Sequence, residues 1–162
     1  MNIQIFTTGG TFDKVYYDAL SDFQIGEPMA PEILREAAVT FDFQVESLVK
    51  KDSLELTAED RALIRAKVAA CPAKHILITH GTDTMTLTAD VLKDIPGKVI
   101  LFTGAMQPAR MRSTDAPFNL GVAIGALQCL AEGIYVAMSG RIFEAGKVKK
   151  NRAAGRFEDS AD

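Results

Sequence analysis

The runs VILF at 99–102 and IYVAM at 134–138 are apolar at consecutive positions rather than alternate ones. Successive side chains of a strand point to opposite faces, so strands of this kind need apolar cover on both sides. Longer segments with helical spacing separate the short runs, and that alternation dictates an α/β fold, a mostly parallel sheet flanked by helices. Strands are predicted at Ile3–Thr7, Phe43–Leu48, His75–Thr79, Val99–Thr103 and Ile134–Met138. In APEILREAAV, Pro31 stands near the start and Ile33, Leu34, Ala37 and Ala38 form one face, which predicts a helix. Thr57 followed by Asp60 reads as a helix cap with acid in the first turn, Leu63, Ile64, Val68 and Cys71 as the buried face, and Pro72 as the stop. Further helices are predicted at Thr84–Leu92 and Phe118–Leu130. From Gly140 the rhythm breaks: Arg141–Glu144 and Lys147–Lys149 read as a C-terminal β-hairpin around Ala145 and Gly146, followed by a polar, poorly ordered tail. With 162 residues, 48% of them hydrophobic, the expectation is a single domain over 1–162.

Charge and cysteines narrow the function. A formal net charge of −3 with no long basic block leaves nothing to neutralise several phosphates, so a small polar ligand fits better than nucleic acid. Cys71 and Cys129 have no histidine or second cysteine at ligand spacing and read as buried thiols, with no metal expected. The N-terminus lacks a basic region followed by a long apolar core, and no apolar stretch is long enough to span a bilayer. The expected location is the cytoplasm, without membrane attachment.

Polar residues cluster where the strands end. HILITHGTDTM, 75–85, runs from an apolar strand into Gly81, Thr82, Asp83 and Thr84; NIQIFTTGGTFDK, 2–14, does nearly the same with Thr7, Thr8, Gly9, Gly10 and Thr11. TGAMQPARMRSTDAPFNL, 103–120, leaves a third strand on the same edge. Ligands of open parallel sheets bind beyond the carboxyl ends of the strands, so these turns are expected to meet in a site. TTGGT lacks both the Lys-Ser/Thr ending of a P-loop and the spacing of a dinucleotide fingerprint. A histidine-based triad would have only His75, inside a strand, or His80, just before the glycine. The remaining option is a threonine hydroxyl activated by a lysine, with Lys147, Lys149 and Lys150 available and Asp83 placed to orient one of them. Arg110 and Arg112 read as a surface loop or subunit contact, Met85, Met106 and Met138 as packing, and Asn119 as support for loop backbone.

Together TTGGTFDK, DSLELT, HGTDTM and FTGAMQP…STDAPFNL resemble the ordered motifs of the bacterial-type L-asparaginases, from about Ile3 to Lys150. The chain is most similar to the short-chain members, which correspond to the N-terminal domain of the longer enzymes. That resemblance implies Thr11 as nucleophile and Tyr16 as its hydrogen-bonding tyrosine, with Tyr17 the alternative. It implies Thr82 as second catalytic threonine, Asp83 as carboxylate for the substrate ammonium, and Ser53 as ligand of the α-carboxylate. Val148-Lys149-Lys150 resembles the family's Val-x-Lys, which makes Lys150 the base; Lys149 competes, because strand alternation turns only one neighbour inward. The implied reaction is hydrolysis of L-asparagine to L-aspartate and ammonia by double displacement through a threonine acyl-enzyme, without cofactor. Backbone N–H groups near Gly10 and Thr82 are expected to hold the oxyanion, each worth roughly 3 kcal/mol.

Two departures point to weak binding. The chain is expected to lack the C-terminal domain that in longer members reaches a neighbour's site, and Leu54 stands where many relatives carry a substrate-binding glutamine. A Michaelis constant of roughly millimolar size is expected. A homodimer or homotetramer is expected, with the helix around Phe118–Leu130 packing on its copy. The alternatives are a non-catalytic asparagine or aspartate sensor and an amidase for another amide such as glutamine, the choice between side chains one methylene apart resting on pocket shape.

Overall fold

The computed structural model describes residues 1–160. In chain order the elements are β1 (Asn2–Gly9), β2 (Lys14–Tyr17), β3 (Asp22–Ile25), α1 (Ala30–Glu36), β4 (Asp42–Lys51), α2 (Ala58–Ala70) and β5 (His75–Thr79). They continue as α3 (Met85–Asp90), β6 (Val99–Thr103), α4 (Ala116–Leu127), β7 (Gly133–Met138), β8 (Arg141–Glu144), β9 (Val148–Asn151) and β10 (Arg156–Asp159). Six strands form one sheet in the order β4-β1-β5-β6-β7-β8, parallel except for β8. The expected α/β class, mostly parallel sheet and flanking helices are therefore present.

The two faces of the sheet carry separate cores. Ile3, Ile5, Leu77, Val99, Leu101 and Ala137 pack with Leu34 of α1 and Leu120, Ala123 and Leu127 of α4. The intervening residues Phe6, Ile76, Ile78, Ile100, Phe102 and Val136 pack with Ile64 and Val68 of α2 and Met85 and Ala89 of α3. Consecutive apolar residues thus serve opposite layers. The cap of α2 is reciprocal: Asp60 N–H donates to Thr57 Oγ1 at 3.2 Å and Thr57 N–H to Asp60 Oδ2 at 2.9 Å.

Among the five parallel strands the spatial order is second, first, third, fourth, fifth. Connections therefore leave β1 in opposite directions along the sheet. The strand order thus reverses beside β1, and sheets of this kind bind ligands beyond the carboxyl ends of the strands at such a point.

The C-terminal region corrects the sequence reading in its pairing. A C-terminal antiparallel hairpin is present, but it joins β9 to β10, whereas β8 folds back on β7. Ser139 and Gly140 connect β7 to β8 with φ of 54° and 80°, the double positive φ of a two-residue hairpin turn whose twist matches the strands. The tail expected to be poorly ordered contains β10, and its Phe157 is 3% exposed against Phe143 and Val148. The β2–β3 hairpin was also unforeseen; it turns at Ser21, which is left-handed at φ 49°. Cys129 is exposed and Cys71 half-buried, so neither is the buried thiol expected, because each follows the end of its helix rather than sitting on its inner face.

Candidate active site

The two threonine turns meet through their glycines. At Gly10, with φ of 74°, a Cβ would lie 2.5 Å from Gly81 Cα and N. At Gly81 a Cβ would lie 2.6 Å from Ser53 Cβ. Backbone contact this close needs residues without side chains. The ends of β1, β4 and β5 are thereby drawn to one point. Gly10 N–H donates to Lys51 O at 2.9 Å and Thr8 Oγ1 to Thr79 O at 2.9 Å, which ties the first turn to both neighbouring strands. Thr11 opens the short 3-10 turn Thr11–Asp13 and is half-buried. Ser53 is 2% exposed, and its Oγ has no hydrogen-bond partner among the described residues. A buried hydroxyl left unpaired is costly, and Thr7 Oγ1 and Thr79 Oγ1 on the adjoining strands are unpaired in the same way among the described residues.

β9 brings the lysine. Lys150 Nζ donates to Thr82 Oγ1 at 2.7 Å and to Asp83 Oδ1 at 2.9 Å, while Lys149 is turned outward toward Glu158 at 4.0 Å. Strand alternation has selected between the neighbours. Burial pushes the Asp83 carboxyl up, but hydrogen bonds and charge from Lys150 and Arg152 outweigh it and hold the group below the usual carboxylate range. Asp83 is thus an anion gripped by two cations, with Arg152 Nε donating to the same Oδ1 at 3.1 Å. Among the described residues no group of three or more His, Cys, Asp or Glu stands close enough to hold a metal ion.

Comparison with known proteins shows which family the chain belongs to. Residues 2–157 match the family described as Asparaginase, N-terminal. The chain belongs to the asparaginase family. An L-asparaginase of Thermococcus kodakarensis is 29% identical over 96% of this chain and 49% of its own length, and its solved structure superposes with a TM-score of 0.85 over 98% of this chain and 51% of that one. A probable periplasmic L-asparaginase of Haemophilus influenzae is 32% identical over 92% of this chain and 46% of its own length. A glutaminase-asparaginase of Acinetobacter glutaminasificans is 33% identical over 65% of this chain and 32% of its own. The asparaginase-family chain therefore spans about half the length, or less, of these relatives.

A buried relay behind Thr82 was missed by sequence reading of this asparaginase-family chain. His80 is fully buried; its Nδ1 lies 2.8 Å from Gly81 O and its Nε2 2.7 Å from Thr88 Oγ1. Nδ1 must carry the proton to donate to a carbonyl, so Nε2 accepts from Thr88. Burial lowers the His80 pKa to about 4, and the neutral ring has both nitrogens engaged, which leaves no free base there. Arg61 of α2 donates to Thr88 Oγ1 at 3.1 Å, Thr84 Oγ1 at 3.0 Å and Leu56 O at 2.9 Å, and Thr84 Oγ1 donates to Ser53 O at 2.7 Å. One guanidinium thus holds the Ser53 turn and the Thr82–Asp83 turn in register. An arginine inside a helix reads as surface until its long-range partners are known.

The Thr11 side of the asparaginase-family site is built on Asp13. This residue is 1% exposed, and burial raises its pKa to about 7 against the Met29 N–H, which donates to Oδ1 at 2.9 Å, and the Arg110 charge. Asp13 O accepts from Gly26 N–H at 2.8 Å and Arg110 Nη1 at 3.0 Å, and Arg110 Nη2 donates to Glu27 O at 3.0 Å. Arg110 therefore pins the base of the β2–β3 hairpin. Tyr16 lies on that hairpin, 49% exposed and edge-on to Phe23 at 5.2 Å; among the described residues no hydrogen bond joins it or Tyr17 to Thr11. Asn119 supports loop backbone as expected, donating to Gly104 O at 3.0 Å and accepting from Ser139 N–H at 3.1 Å. His75 begins β5, at the end of the strand away from the turns.

Proposed function

We propose that the chain hydrolyses L-asparagine to L-aspartate and ammonia by double displacement. The observation that carries this reading is Lys150 Nζ donating to Thr82 Oγ1 and Asp83 Oδ1, next in the chain to Gly81, against which Ser53 packs with its Oγ unpartnered among the described residues. Thr11 Oγ1 attacks the side-chain amide carbon. Its proton passes through the Thr82–Lys150 pair toward the departing nitrogen, the C–N bond breaks, and ammonia leaves an aspartyl ester on Thr11. Water then adds to that ester, and C–O cleavage frees aspartate and restores Thr11. Ser53 Oγ donates to the α-carboxylate, Asp83 accepts the α-ammonium, and Asp83 also orients Lys150. Tyr16 hydrogen-bonds the Thr11 hydroxyl when substrate draws the β2–β3 hairpin inward. The backbone N–H groups near Gly10 and Thr82 face the developing oxyanion.

No cofactor takes part in this scheme. Leu54 is 65% exposed beside Ser53 and offers no polar atom to a substrate, which supports weak ground-state binding and a Michaelis constant of roughly millimolar size. The protein works in the cytoplasm as a homodimer or homotetramer, with Phe118 of α4, 60% exposed, in the contact between copies. Among the described residues no helix is long and apolar enough to cross a membrane.

Ammonia release from L-asparagine and L-glutamine, from micromolar to tens of millimolar, measured beside Thr11→Ala, tests this reading. Release that needs Thr11, favours asparagine and saturates late supports it. Absence of release while asparagine still raises the melting temperature replaces it with a binding role.

A further inference from the structure

Asp83 already has two cations before any substrate arrives. Its Oδ1 accepts from Lys150 Nζ at 2.9 Å and from Arg152 Nε at 3.1 Å, so the group of three carries a net charge of +1. The two cations differ in how they are held. The Lys150 side chain is 17% exposed and shared with Thr82, whereas that of Arg152 is 67% exposed on the turn between β9 and β10 and has no other hydrogen bond among the described residues. Lys150 is fixed by the fold; Arg152 is held by Asp83.

We propose that Arg152 is a specificity-determining residue that competes with a substrate's α-ammonium for Asp83, so that this site discriminates only weakly between amides that carry the ammonium and amides that lack it. The inference rests on the proposed function, in which Asp83 is the ammonium acceptor. An ammonium entering near Asp83 meets a cluster of net charge +1 and displaces or crowds a guanidinium. A substrate with the same amide and α-carboxylate but no ammonium does neither and keeps its contact with Ser53. Arg152 is exposed enough to swing out, which makes the competition one of partial screening rather than blockage.

Succinamic acid is L-asparagine without the α-ammonium, and it isolates the effect. The measurement is kcat/KM for ammonia release from L-asparagine divided by that from succinamic acid, in wild type, Arg152→Gln and Arg152→Lys, at low and at about 0.5 M added salt, a range over which the Debye length falls from about 10 Å toward 3 Å. The asparagine to succinamate ratio is expected to rise about threefold in Arg152→Gln, to stay near wild type in Arg152→Lys, and to lose most of that rise in high salt. Calorimetric binding of L-aspartate and succinate gives the same ratio without turnover. A ratio that is unchanged or lower in Arg152→Gln overturns the competition while leaving the asparaginase reading intact. Failure of all four compounds to react or bind overturns both.

Discussion

Thr82 and Thr11 each follow a glycine beyond the carboxyl end of a central strand, yet their surroundings differ. Thr82 is 6% exposed, touches Lys150 directly, and is backed by the chain Arg61, Thr88, His80 and Gly81 O. Thr11 is half-buried without a hydroxyl partner among the described residues, and the tyrosine assigned to it sits on an exposed two-stranded hairpin. The first half is preorganised by buried polar contacts that cost nothing further to assemble during reaction. On the proposed mechanism the second half is completed only when substrate brings the β2–β3 hairpin inward, as loop covers over active sites do. On the proposed mechanism, the buried, bonded side of this sheet edge handles the proton and the half-buried side carries the nucleophile.

The largest expected effect removes the rigid side. Lys150→Met should lower kcat by about 10²–10⁴-fold, the range of general acid–base catalysis, while Lys149→Met stays near wild type in a steady-state ammonia assay. Equal losses in both variants would mean that the β9 register does not set the chemistry.

The next effect concerns pH and sets the two halves against each other. Asp13, raised to about 7, takes up a proton on folding between its ordinary range near 3.8 and about 7, so its share of stability falls as pH rises through that window. His80, lowered to about 4, gives up a proton on folding between about 4 and 6.5, so its share rises with pH there. The two slopes oppose over most of the acid range, and the melting temperature should be nearly flat in it. Asp13→Asn keeps an acceptor for the Met29 N–H and removes one slope; a shift of this size is worth on the order of 4 kcal/mol. The variant's melting temperature should climb between about pH 4 and 6.5 where wild type does not. A flat variant would contradict the paired assignment.

Cutting the relay has a smaller cost. Thr88→Val leaves His80 Nε2 and Arg61 Nε without their partner and should reduce unfolding free energy by about 1–3 kcal/mol in urea titrations. Smallest is Tyr16→Phe. Loss of the hydroxyl should change stability by less than about 0.5 kcal/mol, since Tyr16 is exposed and its hydroxyl makes no hydrogen bond among the described residues, while lowering kcat about tenfold. A destabilised variant with full turnover would reverse the contrast between the halves.

Sequence reading recovered what depends on local pattern. β5 and β6 have the predicted bounds, the Thr57–Asp60 cap of α2 is formed, and continuous apolar strands did mean a sheet covered on both faces. The motif glycines and threonines were visible because each marks a strand end. What failed depends on distant partners. Arg141–Glu144 could be seen as a strand, but its choice of β7 over β9 rests on Ser139 and Gly140 both adopting positive φ. Asp13 next to Lys14 reads as a solvated pair until the hairpin folds over it, and Arg61, Thr88 and Arg152 gain meaning only from groups brought from other elements. Arg152 did have one signal, its place two residues beyond Lys150, the lysine that the resemblance assigns to the site.

The most direct test is chemical and asks which threonine carries the acyl group. Protein mixed with saturating L-asparagine, quenched rapidly in acid and mapped by peptide mass spectrometry, should yield an aspartyl ester on the peptide containing Thr11 and none on that containing Thr82. An adduct on Thr82, or turnover at full rate with no adduct on either, would contradict the account.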